Sequence, residues 1–383
     1  MFTNVWKRGR RSTLAGVLAA GLLAAGAVAG VSASAATAAP QVRVPWAQVG
    51  PGWELVEYTN GTPAKHAATT LYLVSPGGGR HAVYSWRASA SFAPSLIAWS
   101  GDKTRALLYA GDSGQLAQLN LLTGKLTKFT MAGQAQAVGY TRPDGLNILG
   151  IQMSGPVSTL ARYSLTGARL KVLATSGDYD PVDALYTTDG TMLAVAGTTG
   201  VRLISNADGL IRTLKVPGTD PNMGCVPERW WNSSTILAGC FAPAKFEVTR
   251  LWLVPVSGAR PTALTPQRTA GSHDYGDIGA WRLNSGLYLQ SLGACGTLVL
   301  NKQNANGSVS QVNVPGTPND NTRVVSAAGQ RLLIDALTGC PGSDSLLWFN
   351  PGTRAEQWLF KAPSNAFGVL AVVPYYSLQN SNF

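Results

Sequence analysis

The sequence has little charge, few histidines and cysteines, and no long helical pattern. Charged residues make up 13% of its 383 residues, histidine occurs three times and cysteine four times. After residue 40, no segment keeps apolar residues at helical spacing over three turns, which argues against a helical fold. A Gly-x-Ser-x-Gly elbow, a His-Glu-x-x-His pair and a phosphate-binding loop are also absent. The sequence therefore lacks the signatures of the common hydrolases, metalloproteases and nucleotide-binding proteins.

The first 38 residues are predicted to be a signal peptide. A basic start that contains Lys7 and Arg8 precedes an uncharged run over 14–31 and a small-residue site at Ala36-Thr37-Ala38. The twin Arg10-Arg11 permits export by the Tat route as well as by the Sec route. An uncleaved membrane anchor is the alternative. We expect an exported protein that is secreted or associated with the cell wall.

Basic residues exceed acidic ones, but they are scattered. Four of the 30 basic residues lie in the predicted signal peptide, so its removal lowers the net charge from +11 to +7. No run of Lys or Arg follows that would track a phosphate backbone, so nucleic acid is not an expected partner. A mildly basic exported protein can still adhere to anionic cell-wall polymers. We expect a monomer that contacts a membrane only during export.

Short apolar segments separated by turns recur through the rest of the chain. The unit is clearest over 95–130, where four apolar runs alternate with turns. One of these turns contains a glycine that returns at intervals of 42 to 49 residues. The recurring glycines are Gly78, Gly124, Gly167, Gly209, Gly258, Gly307 and Gly352. Seven repeats of this length predict seven β-propeller blades, and a β-sandwich with coincidental spacing is the alternative.

A second pattern marks the inner strand of most units, which ends in an aromatic residue followed by a polar turn. Examples are Trp99-Ser100-Gly101-Asp102 and Tyr140-Thr141-Arg142-Pro143-Asp144-Gly145. This turn, followed by an apolar strand, resembles the repeat of TolB-like and WD40-like β-propellers over nearly the whole exported chain. The composition resembles that of secreted actinobacterial proteins. The resemblance implies the fold and leaves the function open, because such propellers carry many unrelated activities.

The two ends of the chain are predicted to complete one blade together. The first unit lacks an inner strand, whereas an unassigned apolar run over 366–373 follows the last unit. Pairing the two closes the ring and removes exposed sheet edges. The predicted fold is an all-β, seven-bladed β-propeller of four-stranded antiparallel blades, closed by a C-terminal strand in blade one. The predicted divisions are a signal peptide at 1–38, a lead-in at 39–51, the propeller at 52–375 and a tail at 376–383.

All four cysteines are predicted to lie on one face of the ring. This face holds the starts of the inner strands and the ends of the second strands, around the mouth of the central channel. Four cysteines allow three pairings, of which we favour Cys225 with Cys240 in one hairpin and Cys295 with Cys340 in neighbouring blades. Export supplies the oxidising compartment that disulfides need. A cysteine-rich metal site is the alternative, but close Cys-x-x-Cys spacing is absent.

The same face collects acidic residues, which precede the fourth and sixth inner strands. The predicted ligand-binding residues are Asp178, Asp180, Asp183, His273, Asp274, Asp277 and Trp230. Asp180, Asp274 and Asp277 are candidate metal ligands, with Ca²⁺ as the candidate ion, because Ca²⁺ prefers several carboxylate oxygens. The alternative is that they are solvated turn residues. No residue is assigned a catalytic role, and no other cofactor is expected.

Three functions fit these observations. The favoured one is an exported, non-catalytic binding scaffold that presents its channel-mouth face to an extracellular protein, a peptide or a cell-wall glycan. The alternative is a hydrolase or lyase that uses an acidic site at the channel mouth, with or without a metal ion, because His273 lies among carboxylates. The third is a structural envelope protein held to the wall by charge.

Overall fold

The computed structural model is an all-β ring of seven four-stranded antiparallel sheets. It describes residues 44–61, 67–87, 94–110, 114–155, 157–176, 184–187, 189–220, 224–241, 249–268, 276–293, 297–317, 321–337, 344–362 and 367–375. Within these ranges, no helix is long and apolar enough to span a membrane.

The strands match the short apolar segments of the repeat. In chain order they are β1 (Glu54–Gly61), β2 (Ala68–Val74), β3 (Arg80–Arg87), β4 (Ser95–Trp99), β5 (Arg105–Tyr109), β6 (Leu116–Asn120), β7 (Leu126–Phe129), β8 (Gln136–Tyr140), β9 (Ile148–Ser154), β10 (Val157–Tyr163), β11 (Arg169–Ser176), β12 (Leu185–Tyr186), β13 (Met192–Val195), β14 (Gly200–Ser205), β15 (Ile211–Lys215), β16 (Cys225–Asn232), β17 (Thr235–Phe241), β18 (Thr249–Pro255), β19 (Thr262–Ala263), β20 (Asp277–Leu283), β21 (Gly286–Leu292), β22 (Leu298–Gln303), β23 (Val309–Gln311), β24 (Thr322–Ala328), β25 (Arg331–Leu337), β26 (Asp344–Phe349), β27 (Glu356–Phe360) and β28 (Phe367–Pro374).

Closure by the C-terminal strand is confirmed. The sheet of blade one has the order β28-β1-β2-β3, and each of the other six blades uses four consecutive strands. In blade one, Glu54 pairs with Pro374 and Leu55 pairs with Val373. Just beyond β28, the Tyr375 hydroxyl donates to the Gly101 carbonyl at 2.9 Å, which ties the closing strand to blade two. The predicted seven-bladed propeller is therefore the observed architecture.

The recurring turns have the backbone that the sequence predicts. Gly124 and five of the other recurring glycines have φ between 69° and 89°, a conformation that glycine adopts without steric cost. On the turns after the inner strands, Asp102 accepts the Thr104 backbone N–H at 3.0 Å. Asp189 accepts the Thr191 backbone N–H, also at 3.0 Å. These aspartates therefore cap the turns in which they lie.

The core lies between the blades, where side chains from both faces of each sheet interlock. Trp99 and Trp348 are each 1% exposed and lie in such inter-blade clusters. Cations also cover aromatic faces in these clusters, and the guanidinium carbon of Arg331 lies 5.0 Å from the Trp348 ring centre. Each blade therefore depends on both of its neighbours for burial.

Candidate functional site at the channel mouth of blade seven

Antiparallel pairing determines which strand ends share a face. In each sheet, the inner and third strands start at one edge. The second and fourth strands run the other way and end at that same edge. We call this edge the mouth face. Cys225 at the start of β16 and Cys240 near the end of β17 both lie there, as the sequence predicted.

The pairing of Cys225 with Cys240 is confirmed. The two residues are direct cross-strand partners with Cα atoms 4.0 Å apart, and a disulfide joins them. Cys295 and Cys340 lie outside the described residues, so their pairing stays a prediction.

Most of the predicted acidic site also lies outside the described residues. This holds for Asp178, Asp180, Asp183, His273 and Asp274. Among the residues that the structure describes, no group of three or more His, Cys, Asp or Glu side chains could hold a metal ion. The predicted Ca²⁺ site therefore stays a prediction.

Asp277 is at the mouth face, but its carboxylate is engaged inside blade six. The residue is 1% exposed. Its Oδ1 accepts hydrogen bonds from Arg268 at 2.6 Å and from the Ser291 hydroxyl at 2.8 Å. The Asn301 amide in turn donates to the Ser291 oxygen at 2.8 Å. This closed network explains how a carboxylate is tolerated in the interior.

Trp230 is a core residue in this structure. It is 4% exposed, packs with Cys225 and Cys240, and donates its indole N–H to the Tyr186 carbonyl of blade four. Its neighbour Trp231 is the less buried of the pair and stacks against Arg229, whose guanidinium carbon lies 5.5 Å from the ring centre.

A second acidic group, in blade seven, was not singled out by the sequence analysis. Arg323 on β24 is the direct cross-strand partner of Asp335 on β25, and its guanidinium donates to Asp335 Oδ2. Asp344 begins the adjacent strand β26. We call Arg323, Asp335 and Asp344 the blade-seven triad, and all three lie at the mouth face.

The triad couples two buried carboxyl groups to one partly exposed cation. The side chain of Asp335 is 1% exposed, whereas that of Arg323 is 45% exposed and reaches solvent. Asp335 Oδ1 is buried and has no hydrogen-bond partner among the described residues. An uncompensated oxygen of this kind is costly in a stable interior and is a feature of functional sites.

Burial shifts the proton affinities of both carboxyl groups. Burial, and then the nearby charge of Asp335, raise the pKa of Asp344 to about 7, while Arg323 opposes the shift. Burial also raises the pKa of Asp335, again against the effect of Arg323. Asp344 can therefore exist as acid or base near neutral pH, which is the property of an acid–base catalyst.

Neighbouring blades hold the triad in place. The Gln290 amide of blade six accepts the Val324 backbone N–H at 2.7 Å and donates to the Thr322 carbonyl at 2.8 Å, on either side of Arg323. On the other side, Gly368 of blade one packs against the Asp344 carbonyl, where a side chain would collide. The triad thus lies on rigid strands at the junction of blades six, seven and one.

A local signal for the triad exists in the sequence. Asp335 follows the apolar residues Leu332-Leu333-Ile334 and precedes Ala336-Leu337, and a lone acid within such an apolar strand is unusual. Its partnership with Asp344 depends on strand register, which the sequence alone does not give.

Comparisons with known proteins identify the fold. No protein-family model and no curated protein matches this chain. A puromycin-hydrolysing peptidase from Mycobacterium tuberculosis is similar in structure, with 17% identity, 80% of this chain and 52% of that chain covered, and a TM-score of 0.52. A prolyl endopeptidase structure gives 14% identity, 76% and 46% coverage, and a TM-score of 0.53. This chain therefore spans about half the length of either peptidase.

TolB proteins are also among the similar structures. TolB from Acinetobacter baumannii has 17% identity and a TM-score of 0.39, with 67% of this chain and 65% of TolB covered. At these identities the likeness concerns the fold alone.

The prediction of a non-catalytic binding scaffold is contradicted by these comparisons. The similar structures with TM-scores of 0.50 or more are the two peptidases and a putative 6-phosphogluconolactonase from Bacteroides uniformis, at 13% identity with 83% of this chain and 98% of that chain covered, and all three are named as enzymes. The finding favours the enzymatic alternative, a hydrolase or lyase, over the binding scaffold. This alternative stood second on the sequence alone because the sequence contains no linear catalytic motif.

Proposed function

We propose that this protein is an exported hydrolase or lyase whose acid–base residue is Asp344. The observation that carries the proposal is a buried carboxyl group with a pKa of about 7, coupled to a second carboxyl group and facing a cation at the mouth face. A general base works best when its pKa lies near the working pH.

Each residue of the triad has a distinct role in this proposal. Arg323 binds a carboxylate or carbonyl oxygen of the substrate and stabilises the negative charge that develops there. Asp344 takes a proton, either from a water that attacks a carbonyl carbon or from the carbon next to a carboxylate, and returns it to the leaving group. Asp335 positions Arg323 and keeps the pKa of Asp344 high.

The same proposal includes export. The predicted signal peptide at 1–38 and the Cys225–Cys240 disulfide both support an oxidising, extracytoplasmic location. Secretion or attachment to the cell wall is the corresponding destination.

A substrate panel with matched variants tests the activity. The purified chain is assayed with aryl esters, sugar lactones, peptide amides and uronate oligosaccharides. Asp344→Asn keeps the side-chain shape and is expected to lower kcat on the accepted class by about 100-fold or more. Asp208→Asn, which alters an exposed carboxylate at the opposite face, is expected to leave kcat unchanged. Equal kcat for wild type and Asp344→Asn, or no turnover of any class, would overturn the proposal.

A further inference from the structure

Among the residues that the structure describes, exposed large apolar side chains are confined to one part of the ring. The seven large apolar residues that are exposed, among those the structure describes, all lie in blades two to four. They are Leu122, Leu146, Met153, Leu170, Val172, Leu210 and Ile211. Leu210 is the most exposed of them, at 71%. Such clustering on a folded protein marks an interaction surface.

Five of these residues belong to the fourth strands and to the turns that lead into them. We call this region the outer rim of blades two to four, at residues 120–129, 164–176 and 205–215. Its exposed apolar residues are Leu122, Leu170, Val172, Leu210 and Ile211. The strand pairs of blade three skip Leu170, which identifies it as a bulge residue turned away from the ladder.

Blades three and four present this rim as one surface. The Lys171 ammonium donates to the Ala207 carbonyl in the turn before β15. In the same turn, Gly209 packs against the Leu173 carbonyl of β11, where a side chain would collide. These contacts place Leu210 beside β11.

The rim is also basic. Its three segments contain six cations and one carboxylate. The cations are Lys125, Lys128, Arg169, Lys171, Arg212 and Lys215, and the carboxylate is Asp208. The corresponding segments of blades five and six, at 255–263 and 303–311, contain one cation between them. The outer strand of blade one carries two exposed cations, Arg80 and Arg87, but no exposed large apolar residue. Among the described residues, cations and exposed apolar side chains therefore coincide only on blades two to four.

We propose that the outer rim of blades two to four docks on an anionic lipid surface. Exposed Leu and Ile side chains enter the headgroup region, while Lys and Arg bind the lipid phosphates. A second copy of this chain fits less well, because pairing β11 with β11 would bring Arg169 and Lys171 against like charges. An anionic polymer also fits less well, because it would bind the cations of the rim but would not contact its exposed apolar residues.

Vesicle binding tests the proposal without reference to any enzymatic activity. The chain, purified in its exported form, is floated with vesicles of phosphatidylcholine alone or with about a quarter phosphatidylglycerol. We expect binding only to the vesicles that contain phosphatidylglycerol. The double variant Leu170→Ser, Leu210→Ser and the double variant Arg169→Gln, Lys215→Gln should each weaken binding at least about tenfold.

Matched controls separate the rim from general effects. Met153→Ser changes an exposed apolar residue at the mouth-face end of β9, and Arg87→Gln with Arg260→Gln removes two exposed cations outside blades two to four. Both controls should bind like wild type. Absence of binding to phosphatidylglycerol vesicles would overturn the proposal. So would unchanged binding by the leucine variant, which would indicate a plain polyanion site, or dimerisation through the rim in place of vesicle binding.

Discussion

Glu57 in blade one accepts a hydrogen bond of 2.7 Å from the Leu96 backbone N–H in blade two. From the same strand, Glu54 accepts a hydrogen bond of 3.1 Å from the Ser326 hydroxyl in blade seven. Both glutamates are at most 2% exposed. The blade that closes the ring is therefore joined to both neighbours through buried carboxyl groups, whose protonation bears on stability.

The free energy of unfolding is expected to fall as pH rises from about 5 to about 9. Burial raises the pKa of Glu54 to about 8 and that of Glu57 to about 7, both from 4.5. At pH values between the unfolded-state and folded-state pKa, the folded state keeps protons that the unfolded state has lost. The stability that these protons contribute is fully present below the unfolded-state pKa, and it disappears as the pH rises through the folded-state pKa. The slope is up to about 1.4 kcal/mol per pH unit for each group. Denaturant unfolding over this pH range measures it.

Glu54→Gln provides the control for this pH dependence, because glutamine keeps the acceptor oxygen and does not ionise. The slope should become smaller in this variant and stay unchanged in Glu356→Gln, which alters an exposed residue. Equal slopes in wild type and Glu54→Gln would show that Glu54 titrates normally.

Removal of the closing strand should abolish cooperative folding. Truncation before Ala366 removes β28, whose Val369 is 2% exposed in an inter-blade cluster, and uncovers the edge of β1. We expect aggregation or loss of a single thermal transition. Truncation after Tyr375 is the matched control and should melt like the full chain. A chain without β28 that melts unchanged would refute the closure.

The disulfide should contribute measurably to stability. Replacing Cys225 and Cys240 by serine opens a loop with a sequence separation of 15, worth about 3 kcal/mol in the chain-entropy model. Denaturant unfolding measures the loss, and peptide mapping without reductant should recover this pair. Mapping also tests the predicted Cys295–Cys340 bond. A peptide that links Cys240 to Cys295 would contradict both pairings.

Calcium tests the cation site predicted from the sequence. A ligand that binds only the folded state stabilises it by about 2.7 kcal/mol at about a hundred times its Kd. The prediction is a higher Tm in millimolar Ca²⁺ than in chelator, and loss of this shift in Asp274→Asn. This variant spares the Arg268–Asp277 ion pair. An equal Tm in Ca²⁺ and in chelator would contradict the prediction of a cation site.

The sequence predicts the fold well because each blade carries its own copy of the repeat pattern. Gly124 and its counterparts mark one turn per blade, and the missing inner strand before Trp53 points to closure by the C-terminal run. Cys225 begins the first strand of one hairpin and Cys240 lies near the end of its second strand, so their pairing follows from strand length alone.

The site is less predictable because it depends on register and burial. Asp277 precedes an apolar strand and looks like a loop residue in sequence, yet Arg268 and Ser291 bind it inside blade six. Asp335 and Asp344 are separated by a connection, and only the pairing of β25 with β26 brings them together. Their raised pKa values come from burial, which no local motif encodes.

The most direct test of the account is the pKa of Asp344, measured by NMR titration of side-chain carboxyl carbons. We predict titration at about pH 7 in wild type. In Asp335→Asn the pKa should fall, because the neighbouring charge is removed and Arg323 is released to face Asp344. Titration of Asp344 near 4 in wild type, or an unchanged value in Asp335→Asn, would contradict the assignment of the triad as an acid–base site.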